Sequence, residues 1–181
     1  MDFYPRFGFW QVQVYRPVLK AELADSIGTP EIFSADRATG MKKTVKLDVD
    51  DPRVTNALKN RNRFSNILDC LNTESIQMFH LLKDYSDDIY YLPESGVIVV
   101  AYQENNRLFI ADVIASKPVS FKPIVSELPF NNIETIEFGF CPDWLDVSPV
   151  WEPVPMSDLM LFIKGDWNLP DMFRFPAMLE T

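Results

Sequence analysis

Residues 96–115, "GVIVVAYQENNRLFIADVIA", decide the fold, because two strand-forming runs lie only three residues apart. Valine, isoleucine, tyrosine and phenylalanine favour β-strands, whereas Glu-Asn-Asn between the runs favours a turn. We therefore predict a β-hairpin with strands at 96–103 and 107–115. The elements on either side of this hairpin follow from their own patterns.

From residue 43 onward the chain contains a regular series of strand and helix patterns. Strands are predicted at 43–50, 88–93, 133–140, 159–165 and 172–179, and helices from Asp51 onward, at 72–85 and at 120–128. In the helix at 72–85, the spacing of Ile76, Phe79 and Leu82 predicts an apolar face. This order of elements predicts an α+β fold with a mixed, largely antiparallel sheet flanked by helices.

The composition indicates a chain that can fold around a sizeable core. Apolar residues make up 47% of the 181 residues, whereas 17 basic and 26 acidic residues give a net charge of −9. Nucleic acids and anionic membranes require a basic face, so we predict neither as a partner. No apolar run approaches the ~20 residues of a membrane-spanning helix, and no signal-peptide pattern is present. A cytoplasmic location is therefore predicted.

The sequence offers little for metal binding or nucleophilic catalysis. Cys70 and Cys141 lie far apart and belong to no Cys-x-x-Cys motif, and His80 is the only histidine. These residues lack the spacing of zinc ligands, so no metal site is predicted. No nucleophile lies near His80 in the sequence, and a structural or surface role is favoured over catalysis.

The first part of the chain differs in character from the rest. "FWQVQVYR" at 9–16 alternates as a β-strand does, whereas residues 21–42 contain Gly28, Pro30 and Gly40 among small polar residues. We predict three segments, namely a terminal strand segment at 1–20, a linker at 21–42 and a domain at 43–181.

The stretch "FYPRFGF" at 3–9 contains a Tyr-x-x-x-Gly-Phe pattern made by Tyr4, Gly8 and Phe9. It resembles the closing motif of the GNAT family of N-acetyltransferases, in which a helix ends at this pattern and passes into a late strand. The resemblance implies a GNAT-like sheet, acetyl-CoA as cofactor and Tyr4 as the general acid that protonates the departing thiolate. Residues 1–20 then resemble the end of one GNAT domain, and 43–181 resemble a second, C-terminal GNAT-like domain.

The resemblance also locates the loop where the coenzyme diphosphate is held, between the second hairpin strand and the next helix. That loop is "ASKPVS" at 115–120, which contains no glycine and carries Pro118 where a backbone N–H donor is needed. We therefore predict a degenerate domain, in which acetyl transfer to an unknown amine requires a coenzyme half supplied from elsewhere. A homodimer formed by strand exchange would cover the strand at 9–16. Whether the chain is an enzyme stays open.

A second hypothesis makes the chain a non-enzymatic module that binds a small molecule or a peptide. Trp144 and Trp151 lie among four prolines in "CPDWLDVSPVWEPVP" at 141–155. Rings in such a segment can line a ligand or substrate groove, and they can equally pin a long connection to the sheet. Both tryptophans are therefore candidate substrate-binding residues.

Overall fold

The hairpin predicted from the sequence forms the centre of the structure. The computed structural model describes residues 3–23, 44–158, 161–168 and 170–180. In it, strands β5 (Val97–Glu104) and β6 (Arg107–Ile114) pair antiparallel on either side of a short turn. Most of their side chains are buried, so both faces of this hairpin are covered.

The described residues form nine strands in two sheets. The remaining strands are β1 (Phe9–Val12), β2 (Tyr15–Lys20), β3 (Val45–Lys46), β4 (Ile89–Leu92), β7 (Thr135–Phe138), β8 (Val150–Pro153) and β9 (Leu161–Lys164). The larger sheet has the order β3-β4-β5-β6-β7-β2-β8, and β1 pairs with β9 in a separate two-stranded sheet. Among the described strands, β6 and β7 pair parallel and the other pairs are antiparallel. The predicted α+β class with a largely antiparallel sheet is thereby confirmed.

In the described part of the chain, three α-helices flank the larger sheet. They are α1 (Pro52–Lys59), α2 (Glu74–Lys83) and α3 (Phe121–Glu127). Helix α1 begins as its sequence predicts, because the Asp51 side chain accepts a hydrogen bond from the Arg53 amide and Pro52 occupies the first turn. Helix α3 packs on one face of the sheet through Phe121, whereas α1 and α2 pack on the other through Val54 and Leu81.

The predicted apolar face of α2 is the exposed one. Ile76, Phe79 and Leu82 are 44%, 53% and 58% exposed, whereas Gln77, His80 and Leu81 are buried. Helical spacing correctly groups residues on one side of the helix, but it does not say which side meets the sheet. The Gln77 side chain has a polar partner inside the protein, Asp112, as described below.

Substitutions on α2 distinguish its two sides. We expect Ile76→Lys to change the free energy of unfolding by less than about 0.5 kcal/mol, because Ile76 lies on the surface. Leu81→Ala is expected to lower it by about 2–5 kcal/mol, because it leaves a cavity in the core. Urea denaturation of both variants measures these values. Equal losses would contradict the orientation of the helix.

One predicted strand is absent, and another is much shorter than predicted. Residues 172–179 form no strand: they run as an irregular segment with Pro176 in it and end in a 3-10 helix, Ala177–Leu179. Proline lacks the N–H that a sheet ladder needs, so alternation of apolar residues is insufficient here. The strand predicted at 43–50 is reduced to the two residues of β3.

The strand predicted at 9–16 is divided between the two sheets. Phe9–Val12 form β1 in the small sheet. Tyr15 and Arg16 begin β2, which continues through Pro17 and lies between β7 and β8 in the larger sheet. Pro17 fits inside the sheet because β2 pairs with β8 over Tyr15–Val18 and with β7 only from Val18 onward. The predicted linker begins with a 3-10 helix, Ala21–Leu23, and residues 24–43 lie outside the described part. The three-segment division stays a prediction.

Candidate functional site

The parallel strands β6 and β7 separate partway along their length. They pair from Arg107 and Thr135 to Ile110 and Phe138, and the Gly139 amide then donates to the Ile110 carbonyl at 2.8 Å. Beyond this bond β6 continues to Ile114 without β7 beside it. The ends of the two strands therefore border a gap in the middle of the sheet.

A segment near the end of the chain fills this gap. The Ala177 amide donates a 2.6 Å hydrogen bond to the Gly139 carbonyl, and Ala177 and Met178 are both buried. Their 3-10 helix contacts both β6 and α2. A Cβ atom at Gly139 would lie 2.8 Å from the Ala177 Cβ and 2.9 Å from the Ala111 carbonyl oxygen. Glycine therefore permits a close approach that no other residue allows.

A β-bulge in β6 turns an acidic side chain toward the helices. Val100 pairs with Asp112 and Ala101 pairs with Ile110, so Ala111 is the extra residue. Without the bulge, Asp112 would follow Ile110 into the apolar layer under α3. It lies instead on the side of α1 and α2, where it is 3% exposed.

Asp112 is the centre of a buried polar network. It forms an ion pair with Arg61, and the side-chain Nε2 of Gln77 donates a hydrogen bond of 3.4 Å to its Oδ2. Arg61 also contacts Asp69 at 3.3 Å, and the Val113 amide donates to Asp112 Oδ1 at 2.8 Å. Desolvation raises the pKa of Asp112, and the guanidinium of Arg61 opposes that rise. The network explains why Gln77 faces inward.

A second polar group lies beneath the segment that fills the gap. His80 is buried, and its Nδ1 lies 2.8 Å from Asp84 Oδ2. Its Nε2 is buried without a hydrogen-bond partner among the described residues. Arg174 and Glu180 form an ion pair of 3.0 Å nearby, and burial raises the pKa of Glu180, while His80 and Arg174 oppose the rise. A structural role for His80 agrees with this position.

Two carbonyl oxygens of the loop 115–120 accept hydrogen bonds from Asn62. The Asn62 amide donates to the Ala115 carbonyl at 3.1 Å, and the Asn62 side chain donates to the Ser116 carbonyl. Helix α3 follows with only seven residues, and Ser120 forms no side-chain cap. A diphosphate cradle needs several free N–H groups pointing at one place, and its predicted loss in this loop stays a prediction.

Tyr4 is far in sequence from the loop 115–120 and packs against the two-stranded sheet of β1 and β9. A 3-10 helix, Tyr4–Phe7, ends at Gly8, whose φ of 76° is left-handed. The helical turn that breaks at glycine into a strand is thus confirmed. The Tyr4 ring is half exposed and stacks on Phe162, with ring centroids 4.6 Å apart. Its role as a general acid stays a prediction.

The two candidate tryptophans lie in different clusters. Trp144 packs against Phe64 and Phe140, at ring distances of 4.7 and 6.4 Å, beside the core under α3. Trp151 lies in β8 opposite Pro17 and packs on a cluster that includes Val12, Cys141, Ile163 and Phe173. The structure therefore does not bring the two rings into one pocket. Each ring's role in substrate binding stays a prediction.

Sequence reasoning missed the residues that shape this region, Asp112, Gly139 and Ala177. A lone aspartate in the strand "RLFIADVIA" and a glycine after "TIEF" were the available signals. A buried carboxylate needs a partner, and glycine within a strand often marks a close backbone approach.

Comparisons with known proteins give no match: no family model, no curated protein and no solved structure is similar to this chain. Within the described residues, no helix has the length and apolar character to cross a membrane. The same residues contain no cluster of three or more histidine, cysteine, aspartate or glutamate side chains arranged to hold a metal ion.

Proposed function

We propose that the chain is a GNAT-like acyltransferase module whose own coenzyme site is degenerate. The hairpin of β5 and β6 followed by helix α3 supports this proposal, because these elements lie where the resemblance expects the third and fourth strands and the helix after the coenzyme loop. The Tyr4–Gly8–Phe9 motif, with its helical turn ending at a left-handed glycine, is a second point of agreement. Acetyl transfer to an amine would then require a coenzyme half supplied from elsewhere.

The filled gap between β6 and β7 is the observation that carries the degenerate character. An acyl chain could lie between β6 and β7 only if this gap were open and backbone groups of the two strands were free to bind it. Here the Gly139 carbonyl already accepts the Ala177 amide, and Met178 is buried beside it. Together with the proline-bearing loop 115–120, this contact supports the proposal that the domain lacks its own slot for the acyl chain and its own cradle for the diphosphate.

Titration with acetyl-CoA tests whether the coenzyme site of the chain is degenerate. Because a ligand stabilises only the state that it binds, we expect no rise in the melting temperature and no binding heat up to about 1 mM coenzyme. Desulfo-coenzyme A serves as a matched ligand control, and an active GNAT enzyme in the same buffer serves as a positive control. A saturable rise in the melting temperature with acetyl-CoA would overturn the degenerate character.

A further inference from the structure

The segment that fills the gap between β6 and β7 is fastened at its beginning. We call residues 173–180 the gap segment, and Phe173 and Arg174 its anchor. The Phe173 carbonyl accepts a 2.9 Å hydrogen bond from the Tyr15 amide. The Arg174 amide donates to Cys141 Sγ at 3.3 Å, and the Cys141 thiol donates to the Arg174 carbonyl at 3.4 Å. The anchor is therefore bonded on both sides of Arg174.

The rest of the gap segment has much weaker main-chain attachment to the sheet. Among the described residues, the bond from the Ala177 amide to the Gly139 carbonyl is the one main-chain hydrogen bond that joins residues 175–180 to a strand or its end. The amides of Leu179 and Glu180 donate to carbonyls within the same 3-10 turn. Residues 175–180 can therefore leave the gap as a unit while the anchor stays bonded.

The side chains around the gap segment are incompletely paired. Three buried polar atoms have no hydrogen-bond partner in the described part of the chain, namely His80 Nε2, Arg174 Nε and Glu180 Oε1. His80 and Arg174 are 2% and 7% exposed. Glu180 Oε1 lies 3.0 Å from an Arg174 nitrogen, but without the alignment of a hydrogen bond. Because an unpaired buried polar atom is costly, this cluster opposes the docking of the segment.

The cluster lacks one proton donor. Asp84 accepts a hydrogen bond from His80 Nδ1, and this bond lowers the pKa of Asp84. In the neutral ring Nε2 is then an acceptor, as is Oε1 of an ionised Glu180, whereas Arg174 Nε is a donor. Two unpaired acceptors therefore accompany one unpaired donor. One added proton turns an acceptor into a donor and balances the set.

We propose that the gap segment is a proton-controlled latch. With a proton on Glu180, residues 175–180 stay in the gap between β6 and β7. When Glu180 is ionised, they leave the gap more readily, while the anchor at Phe173 and Arg174 stays bonded.

The surroundings of Glu180 favour it as the holder of the proton. Burial raises the pKa of its carboxyl and Glu137 raises it further, whereas Arg174 and His80 oppose the rise. In the displaced segment the carboxyl lies in water and ionises at lower pH. The stabilisation of the docked segment is therefore complete below the ordinary pKa of glutamic acid, and it is lost as pH rises through the raised pKa.

Charged and titratable groups reach Glu180 from each element packed around it. Arg174 lies on the gap segment itself, His80 lies on α2, Tyr85 follows that helix, and Glu137 lies on β7. Glu137 is paired with Arg107 of β6. Histidine is the side chain whose charge ordinarily changes near neutral pH, so the experiment has to separate His80 from Glu180.

Hydrogen exchange of single amides in the full chain measures the latch. After correction for the intrinsic effect of pH on exchange, the protection of the Ala177 amide should fall about three- to tenfold from pH 5 to pH 8, since one unit of pKa corresponds to about tenfold. The Arg174 amide and the amides of β5 and β6 should keep their protection. Glu180→Gln keeps the shape of the neutral carboxyl and should remove the pH dependence. Glu94→Gln, at an exposed position between β4 and β5, should not.

Three results would overturn the proposal. The first is an Ala177 amide whose protection does not depend on pH. The second is the same dependence in Glu180→Gln, which would assign the proton to His80 or to a more distant group. The third is an equal change at the Arg174 amide and in β5 and β6, because the chain would then open more widely than the latch requires.

A second measurement decides the matter if Glu180→Gln does not fold. Carbon-13 NMR of the Glu180 carboxyl in the original chain gives its titration directly, and a pKa at or below the ordinary value of glutamic acid would contradict the latch. The docking of the gap segment can be measured whether or not the chain binds a coenzyme. This experiment and the titration with acetyl-CoA can therefore fail independently.

Discussion

Replacing Arg61 with methionine is expected to lower the free energy of unfolding by about 3–5 kcal/mol. The substitution keeps most of the side-chain volume but removes the charge that faces Asp112 and Asp69. Asp112 is almost fully buried, so its carboxylate would remain without a counter-charge in a medium of low dielectric constant. Urea denaturation at neutral pH measures the loss.

The loss of stability caused by Arg61→Met should become smaller as the pH falls. Burial already raises the pKa of Asp112, and the pKa rises further when Arg61 no longer opposes it. At a pH between the two pKa values, the Asp112 carboxyl is protonated in the folded variant but ionised in the unfolded chain. Its stability therefore falls as pH rises through the folded pKa. Denaturation at pH 5 and at pH 8 should show the smaller loss at pH 5.

Two further variants separate the charge effect from lost packing. Arg53→Met removes the charge of an exposed arginine on α1, whose partner Asp51 is also near the surface, and should shift the urea midpoint far less. Arg61→Met combined with Asp112→Leu removes both charges and should recover much of the stability lost by the single variant. Equal midpoints for Arg61→Met and Arg53→Met would contradict the buried network.

Local sequence patterns were sufficient for the parts of the fold that local chemistry determines. The hairpin at β5 and β6 follows from strand propensity and a short polar turn, and the start of α1 follows from Asp51 and Pro52. The break at Gly8 is equally local, since it requires only a residue that tolerates a positive φ.

The errors arise where distant residues decide the outcome. The spacing of Ile76 and Phe79 gives one side of α2, but the inward direction depends on Asp112, which lies 35 residues from Gln77. The alternation after Met172 predicts a strand, yet the position beside Gly139 accepts an irregular segment that ends in a 3-10 helix. The crossing of β1 and β2 between two sheets likewise depends on β8 and β9, far along the chain.

Gly139→Ala is the second substitution with a large expected effect. The added Cβ would lie 2.8 Å from the Ala177 Cβ and 2.9 Å from the Ala111 carbonyl oxygen, and the latter belongs to a bulged strand that is held on both sides. Overpacking of this kind costs about 1–3 kcal/mol, and contact with backbone favours the upper end. Thermal and urea denaturation measure the loss.

Hydrogen exchange can show which contact is lost in Gly139→Ala. If Ala177 is displaced from the gap, its amide loses the bond to the Gly139 carbonyl and should exchange much faster in Gly139→Ala than in the original chain. Adding Ala177→Gly removes one of the two close contacts and should restore part of the stability. An unchanged exchange rate together with an unchanged midpoint would mean that Ala177 does not fill the gap, and the proposal of a degenerate coenzyme site would lose its main support.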